Sequence, residues 1–348
     1  MRKLALSDEI LLKVDKAARY IGGEVNSVMK DKSAVDIRFV MCFPDVYEIG
    51  MSNLGMMILY NMFNQREDVW CERLFSPWPD LDKVMREENI PLFALESQEP
   101  IQDFDFLGIT IGYEMCYTNI LQVLDLSGIP LKSADRGEDF PIVIGGGACA
   151  YNPEPLAPFF DMFYIGEGET VYDALFDAYK ANKKAGGSRR DFLLAAAKIP
   201  GIYVPSLYEV TYKEDGTIAS FAPTADGVPE KVQKQLIIDM EKEYRAVEAP
   251  VVPHIKATQD RVTLEIQRGC IRGCRFCQAG MIYRPTRERD VETLKESARI
   301  MLKNTGHEEI SLSSLSSSDY SQLKELVNFL IEEFHGKAVN ISLPSLRI

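Results

Sequence analysis

Val262-Thr263-Leu264-Glu265-Ile266-Gln267-Arg268-Gly269-Cys270-Ile271-Arg272-Gly273-Cys274-Arg275-Phe276-Cys277 is the stretch on which the fold of this chain turns. Its first five residues alternate apolar and polar, the period of a half-buried strand. Gly269 ends the alternation, and three cysteines then crowd into eight residues at C-x3-C-x2-C spacing. Three closely spaced thiolates on one loop can bind three irons of a cubane. The fourth iron is then left to a ligand from outside the protein. Gly269 and Gly273 are expected to let the loop wrap closely, because glycine tolerates positive φ. A structural zinc site normally takes four ligands. The nearest candidates for a fourth, His254 and His307, lie far outside the usual spacing.

After this loop the pattern predicts a helix over 293–303, a strand over 310–315, a helix over 323–334 and a strand over 339–343. Strands alternating with helices read as a parallel sheet, here the opening of a (β/α) barrel. Three strands cannot close a barrel, and an open edge is a pairing liability. The expectation is therefore an N-terminal part of a longer protein, or a barrel whose remainder comes from a separate chain.

The residues before the loop repeat the alternation. Strands are expected over 35–43, 69–75, 92–95, 106–111, 142–144 and 162–165, with helices over 54–63, 81–88, 117–127 and 171–179. That series predicts a doubly wound, Rossmann-like α/β domain with a mostly parallel sheet. A helix over 10–21 precedes it, and the polar run 180–190 reads as a linker. A hairpin of 203–212 and 217–221 turns at Asp215-Gly216. The resulting division is an N-terminal helical segment at 1–34, the doubly wound domain at 35–185, a connector with a hairpin at 186–258 and an incomplete barrel at 259–348.

Composition narrows the class. The 348 residues are 46% apolar, enough for two or three cores. A formal charge of −13 argues against bulk neutralisation of nucleic-acid phosphates. No window approaches the roughly 20 apolar residues that span a bilayer. The N-terminus turns polar at Ser7-Asp8-Glu9, too soon for a signal-peptide core, so the expected location is cytoplasmic. Seven cysteines, an odd number, point to free thiols or metal ligands.

The cysteine loop resembles that of the radical S-adenosylmethionine (SAM) superfamily, whose signature is CxxxCxΦC with an aromatic at Φ, here Phe276. The resemblance implies a [4Fe–4S] cluster on Cys270, Cys274 and Cys277, with SAM on the open iron. One electron, from a reductant such as flavodoxin or ferredoxin, would then break the sulfonium bond and release a 5′-deoxyadenosyl radical. Arg284 to Arg289 precede the first barrel helix, as in several relatives. Many members carry a Gly-Gly-Glu-type stretch after the second strand to hold SAM's amino group. This chain has Ser311-Leu312-Ser313-Ser314-Leu315-Ser316-Ser317-Ser318-Asp319 there. Ser345 and Arg347, after the third strand, are candidates for SAM ribose or carboxylate contacts.

The first domain resembles the cobalamin-binding domain of B12-dependent radical SAM proteins. Mutase-type cobalamin folds carry D-x-H-x-x-G after a strand; here Asp45 and Gly50 match and Tyr47 replaces the histidine. Further candidate contacts are Thr110, Gly145, Gly146 and Gly147 with Glu154, and Gly166, Glu167 and Gly168, all near strand ends. Similarity to a B12-binding radical SAM subgroup extends over nearly the whole chain. It implies methyl transfer or another radical modification of an unknown substrate. Two alternatives stand beside it. Cys42, Cys116 and Cys149 are expected near converging strand ends, where they could hold a second cluster for methylthiotransferase-like sulfur insertion or be buried as small hydrophobes. The chain could also be a cluster-bearing sensor or scaffold that never turns over.

Overall fold

A computed structural model describes residues 4–346. The chain divides into two units. The first contains the residues up to Gly22, Val28–Gly50 and Met62–Leu236. The second contains Gly23–Ser27, Met51–Asn61 and the residues from Ile237 onward. The last break along the sequence follows Leu236, and two short earlier segments also belong to the second unit.

The first unit is built on six strands, β1 (Ile37–Phe43), β2 (Val69–Phe75), β3 (Phe106–Thr110), β4 (Ile142–Gly146), β5 (Met162–Tyr164) and β6 (Ile202–Tyr203). Their order is β2-β1-β3-β4-β5-β6, parallel apart from the β5–β6 pair. All seven residues of β1 are buried, as a central strand covered on both faces requires. Val40 and Cys42 join a core with Leu107 and Val123. Phe39 packs against Phe63, Phe106 and Phe176. The order 2-1-3-4-5 reverses between β1 and β3, and sheets of this kind bind ligands outside the carboxyl ends of their strands at such a reversal.

The helices of the chain before the cysteine loop are α1 (Asp8–Leu11), α2 (Tyr47–Gly50), α3 (Leu54–Asn64), α4 (Pro79–Glu88), α5 (Tyr117–Leu126), α6 (Tyr172–Ala185) and α7 (Arg189–Ala196). Three expectations need correction. The predicted helix 10–21 is broken: α1 stops at Leu11, and Lys16 takes φ +54° before a short turn at Ala17–Arg19. Long-range contacts override its periodicity, since the Asp15 amide donates to Asp80 at 2.7 Å and Arg19 forks onto Glu48. Residues 92–95 form no strand; Phe93 makes one isolated bridge to Pro100. The loop instead carries Glu96 to Arg73, whose amide and Nε donate to it at 2.7 and 2.6 Å. The expected linker 180–190 is largely helical, because Ser188 and Asp191 form a capping box that starts α7. The hairpin is β7 (Tyr208–Tyr212) with β8 (Ile218–Pro223), while Tyr203 belongs to the main sheet.

The second unit contains β9 (Val262–Glu265), β10 (Gln267–Arg268), β11 (Arg287–Glu288), β12 (Glu309–Ser313) and β13 (Asn340–Ser342), with α8 (Ala279–Ile282), α9 (Val291–Thr305) and α10 (Leu323–Glu333). β13, β12 and β9 form a parallel sheet in that order. Asp290 caps α9 by accepting from the Glu292 and Thr293 amides. Val262, Leu264, Ile266, Ile310 and Leu312 pack with Leu294, Ala298, Leu326 and Leu330 of the two helices. Alternation therefore turns the other residues to the opposite face. Thr263, Ser311 and Ser342 share one transverse row, and Glu265 pairs with Ser313 in the next. Among the described residues no helix is long and apolar enough to cross a membrane.

Candidate metal centre and sheet-end site

The cysteine loop hangs from a two-stranded clasp. β10 pairs antiparallel with β11, Gln267 opposite Glu288 and Arg268 opposite Arg287, so the segment between them is closed at its base. Gly269 leaves the clasp at φ +81°, where a Cβ would lie 2.5 Å from the Pro285 carbonyl oxygen and 2.7 Å from that of Tyr283. Only glycine fits there. Gly273 differs from the expectation: a Cβ on it would meet nothing within 4 Å, and its φ is not positive. The buried Arg287 side chain donates to the Pro285 and Tyr283 carbonyls at 3.0 and 3.2 Å and fixes the returning strand.

Cys270, Cys274 and Cys277 are all partly exposed. The Cys277 amide donates to the Cys274 carbonyl at 3.1 Å, which tightens the last turn of the loop. The Arg272 amide donates to Cys270 Sγ at 3.4 Å, and the Gly280 amide to Cys277 Sγ at 3.3 Å. Amides directed at sulfur favour thiolate and are one of the levers on cluster potential. Among the described residues no three His, Cys, Asp or Glu side chains converge to hold a single ion. A cubane asks for something else, since each thiolate takes its own iron. Phe276 is 92% exposed.

Arg272 crosses to the loop after β12. Its Nε donates to Asp319 Oδ2 at 2.9 Å, a second nitrogen donates to Oδ1, and Ser316 Oγ donates to the same carboxylate at 2.8 Å. Asp319 is thus engaged with the cysteine loop. Gln267, 2% exposed, donates to the Ser316 carbonyl at 2.8 Å. Ser317 Oγ donates to the Pro344 carbonyl and the Ser317 amide to the Ser345 carbonyl, so the loops after β12 and β13 are tied together. Arg347 lies outside the described residues. Sequence reasoning missed Arg272 and Gln267. Arg272 sits between two of the cysteines, a local signal, but its partner is 47 residues away. A pocket in this unit, lined by Met57, Val251, Arg261, Thr263 and His307 among others, lies at the opposite, amino-terminal end of β9.

In the first unit, Asp45 follows β1 and Tyr113 follows β3, and the Tyr113 hydroxyl donates to Asp45 across the strand-order reversal. Burial first, then the Asp45 carboxylate, raises the Tyr113 phenol above its ordinary range. Asp45 also accepts from the Val46 amide at 2.7 Å. Tyr47, expected at the axial-ligand position, is 1% exposed and packs edge-on against Phe75. Several expected ligand-facing glycines are filled by the protein itself. A Cβ on Gly50 would strike Phe75, one on Gly145 would strike Phe163, Ile111 and Phe160, one on Gly147 the Ile111 backbone, and one on Gly166 the Gln235 backbone. Gly146 has only the Tyr164 carbonyl, at 3.9 Å, and Gly112 nothing within 4 Å. These two are the open ones at the ends of β4 and β3. Thr110 closes β3, half-buried. Glu154 accepts from the Tyr203 hydroxyl. Glu167 donates its amide to the Gln235 carbonyl at 3.0 Å, with Gly168 next in the same half-buried turn.

Cys42, Cys116 and Cys149 are buried in one core. Burial, then the neighbouring Cys116, raises the Cys42 thiol. Burial, then Glu114 and Cys116, pushes Cys149 up to about 11. Clusters take thiolates, and these surroundings favour neutral thiols, as in ordinary packing.

Residues 55–205 match the family model for the N-terminal region of radical SAM proteins, and residues 264–348 match the radical SAM superfamily model. The chain carries both of these radical SAM regions. The superfamily match implies a [4Fe–4S] cluster and SAM as cofactors. The chain is 27% identical over 306 residues to an uncharacterised protein of Methanocaldococcus jannaschii, covering 88% of this chain and 54% of the relative. It therefore spans about half the length of the curated relative it matches. Two solved structures of TsrM, a radical SAM methyltransferase from Kitasatospora setae, are also similar. One, with tryptophan and a SAM analogue bound, has a TM-score of 0.47 at 14% identity, over 87% of this chain and 54% of TsrM. The other, with cobalamin and a [4Fe–4S] cluster bound, has a TM-score of 0.49 at 13% identity, over 88% and 54%. Likeness at that level says nothing about what this chain binds.

Proposed function

We propose that this chain is a radical SAM enzyme whose cluster sits on Cys270, Cys274 and Cys277, on the first loop of a (β/α) barrel that β9, β12 and β13 begin. The observation that carries the reading is the clasped loop after β9, with amides directed at Cys270 and Cys277 Sγ. A cluster held by these cysteines would bind SAM and would supply the electron that breaks its sulfonium bond. The chain's own residues position that group. Gly269 and Arg287 fix the loop at its base, Arg272 and Asp319 join it to the loop after β12, and Phe276 offers an exposed aromatic face.

The same proposal gives the first unit a Rossmann-like role in binding cobalamin at the ends of β1, β3 and β4. Open backbone at Gly112 and Gly146 and the polar pair Asp45–Tyr113 support it. Tyr47 does not fit as an axial ligand, because its side chain belongs to the core. The reaction is then methyl transfer or another radical modification, with a flavodoxin- or ferredoxin-like reductant as electron donor. Anaerobic reconstitution of the full-length protein tests this. About four irons per chain and 5′-deoxyadenosine or S-adenosylhomocysteine from SAM and dithionite are expected. An intact cluster that forms neither product would leave a sensor or scaffold. Hydroxocobalamin should bind with a spectrum that Tyr47→Phe leaves unchanged; absence of binding would remove cobalamin from the proposal.

A further inference from the structure

We propose that Arg272, latched by Asp319, sets the reduction potential of the cluster; this rests on the assignment of Cys270, Cys274 and Cys277 as its ligands. Arg272 lies between the first two cysteines, and its own amide donates to Cys270 Sγ at 3.4 Å. Its side chain does not sweep freely. Nε and a second guanidinium nitrogen both meet the Asp319 carboxylate, which Ser316 Oγ holds from another side. A two-pronged arginine–carboxylate pair fixes orientation as well as distance. Arg275, exposed in the same loop, makes no such pair among the described residues. Cys270 and Cys274 both lie within electrostatic reach of the Arg272 guanidinium.

The chemistry is a single electron transfer. An external one-electron donor is oxidised, the [4Fe–4S] core goes from 2+ to 1+, and no bond forms or breaks and no proton moves. The cluster gains one negative charge. A cation fixed beside it stabilises the reduced form, and a carboxylate opposes that. Arg272 is on the loop itself, and Asp319 offsets its charge through the two-pronged pair. The two residues therefore act with opposite sign. Removing the guanidinium disfavours reduction and also leaves the carboxylate uncompensated. Removing the carboxylate charge leaves the guanidinium unopposed.

A purely mechanical latch predicts something different, because either substitution loosens the same loop. The experiment is a dithionite-poised redox titration of the reconstituted full chain, followed by electron paramagnetic resonance. Arg272→Gln is expected to lower the reduced-to-oxidised ratio at a fixed potential about tenfold, a shift of 59 mV for one electron. Asp319→Asn is expected to raise it, and Arg272→Lys to fall close to the native protein. Shifts of the same sign in Arg272→Gln and Asp319→Asn, or none, would overturn the proposal while leaving the cysteine assignment standing. A native protein that holds no cluster by iron analysis would overturn both. Should Arg272→Gln fail to assemble, the rise in Asp319→Asn against Arg272→Lys still decides.

Discussion

Gly269→Ala isolates the geometry at the base of the cysteine loop. The added methyl would sit 2.5 and 2.7 Å from two backbone oxygens, at a residue with φ +81°. A left-handed conformation costs an L-residue about 1–2 kcal/mol. The overlapping atoms are main chain, so relief requires Tyr283 and Pro285 to move. Those two carbonyls accept from Arg287 at 3.2 and 3.0 Å. Loss of one such charge-assisted bond is worth about 1.5–3 kcal/mol. The sum is roughly 3–5 kcal/mol, a large share of the 5–15 kcal/mol that holds a typical domain. Urea unfolding should show an earlier transition for this variant, and reconstituted protein should carry less iron. Gly273→Ala is the matched control in the same loop: with nothing within 4 Å, it should stay within about 0.5 kcal/mol of the native protein. A Gly269→Ala protein with native urea midpoint and native iron content would refute the claim that the clasp holds the loop.

Arg73→Met leaves the fully buried Glu96 without its guanidinium; a loss of about 3–5 kcal/mol is expected in thermal melting. Asp68 is held below the ordinary carboxylate range by Arg66 and then Lys180, against the opposing effect of burial. Its stabilisation is therefore present above about pH 4 and lost as pH falls below that. Asp68→Asn should lower stability at neutral pH and flatten its acid dependence, as read from melting temperature across pH 2–7. Phe276→Ala removes a ring that packs on almost nothing in the protein, so melting should change by less than about 0.5 kcal/mol. SAM affinity, by isothermal titration with the reconstituted protein, should fall by up to about tenfold; equal affinity would remove Phe276 from the SAM site.

Much of the fold is legible in the residues because its strongest signals are local. Val69–Phe75 and the helix at 54–64 follow directly from hydrophobic pattern and flanking turns. The failures are long-range. Nothing local announces that Asp80 and Glu48 will claim residues 15–19 from a helix, or that Glu96 will draw 92–99 into a loop around Arg73. Glycine carries a similar ambiguity. Gly50, Gly145 and Gly166 read as places for a ligand to approach, yet neighbouring rings and backbone occupy the space a side chain would take. Gly269 and Gly273 look alike in the text, and only the returning Pro285 distinguishes them. The cysteine spacing needed no tertiary knowledge, whereas the Arg272–Asp319 pair depends on how two distant loops meet.

The row of Thr263, Ser311 and Ser342, with Glu265 and Ser313 beyond it, divides the labour of a short sheet. The side that meets α9 and α10 is interlocked, so its residues are constrained together by packing. The hydroxyl side contributes little to that interlock. Among the described residues none of these four hydroxyls bonds to another group of the chain. Exchanging one small polar residue for another there leaves the hydrophobic core as it was. Substitution on one side of three strands therefore carries almost no risk to folding on the other.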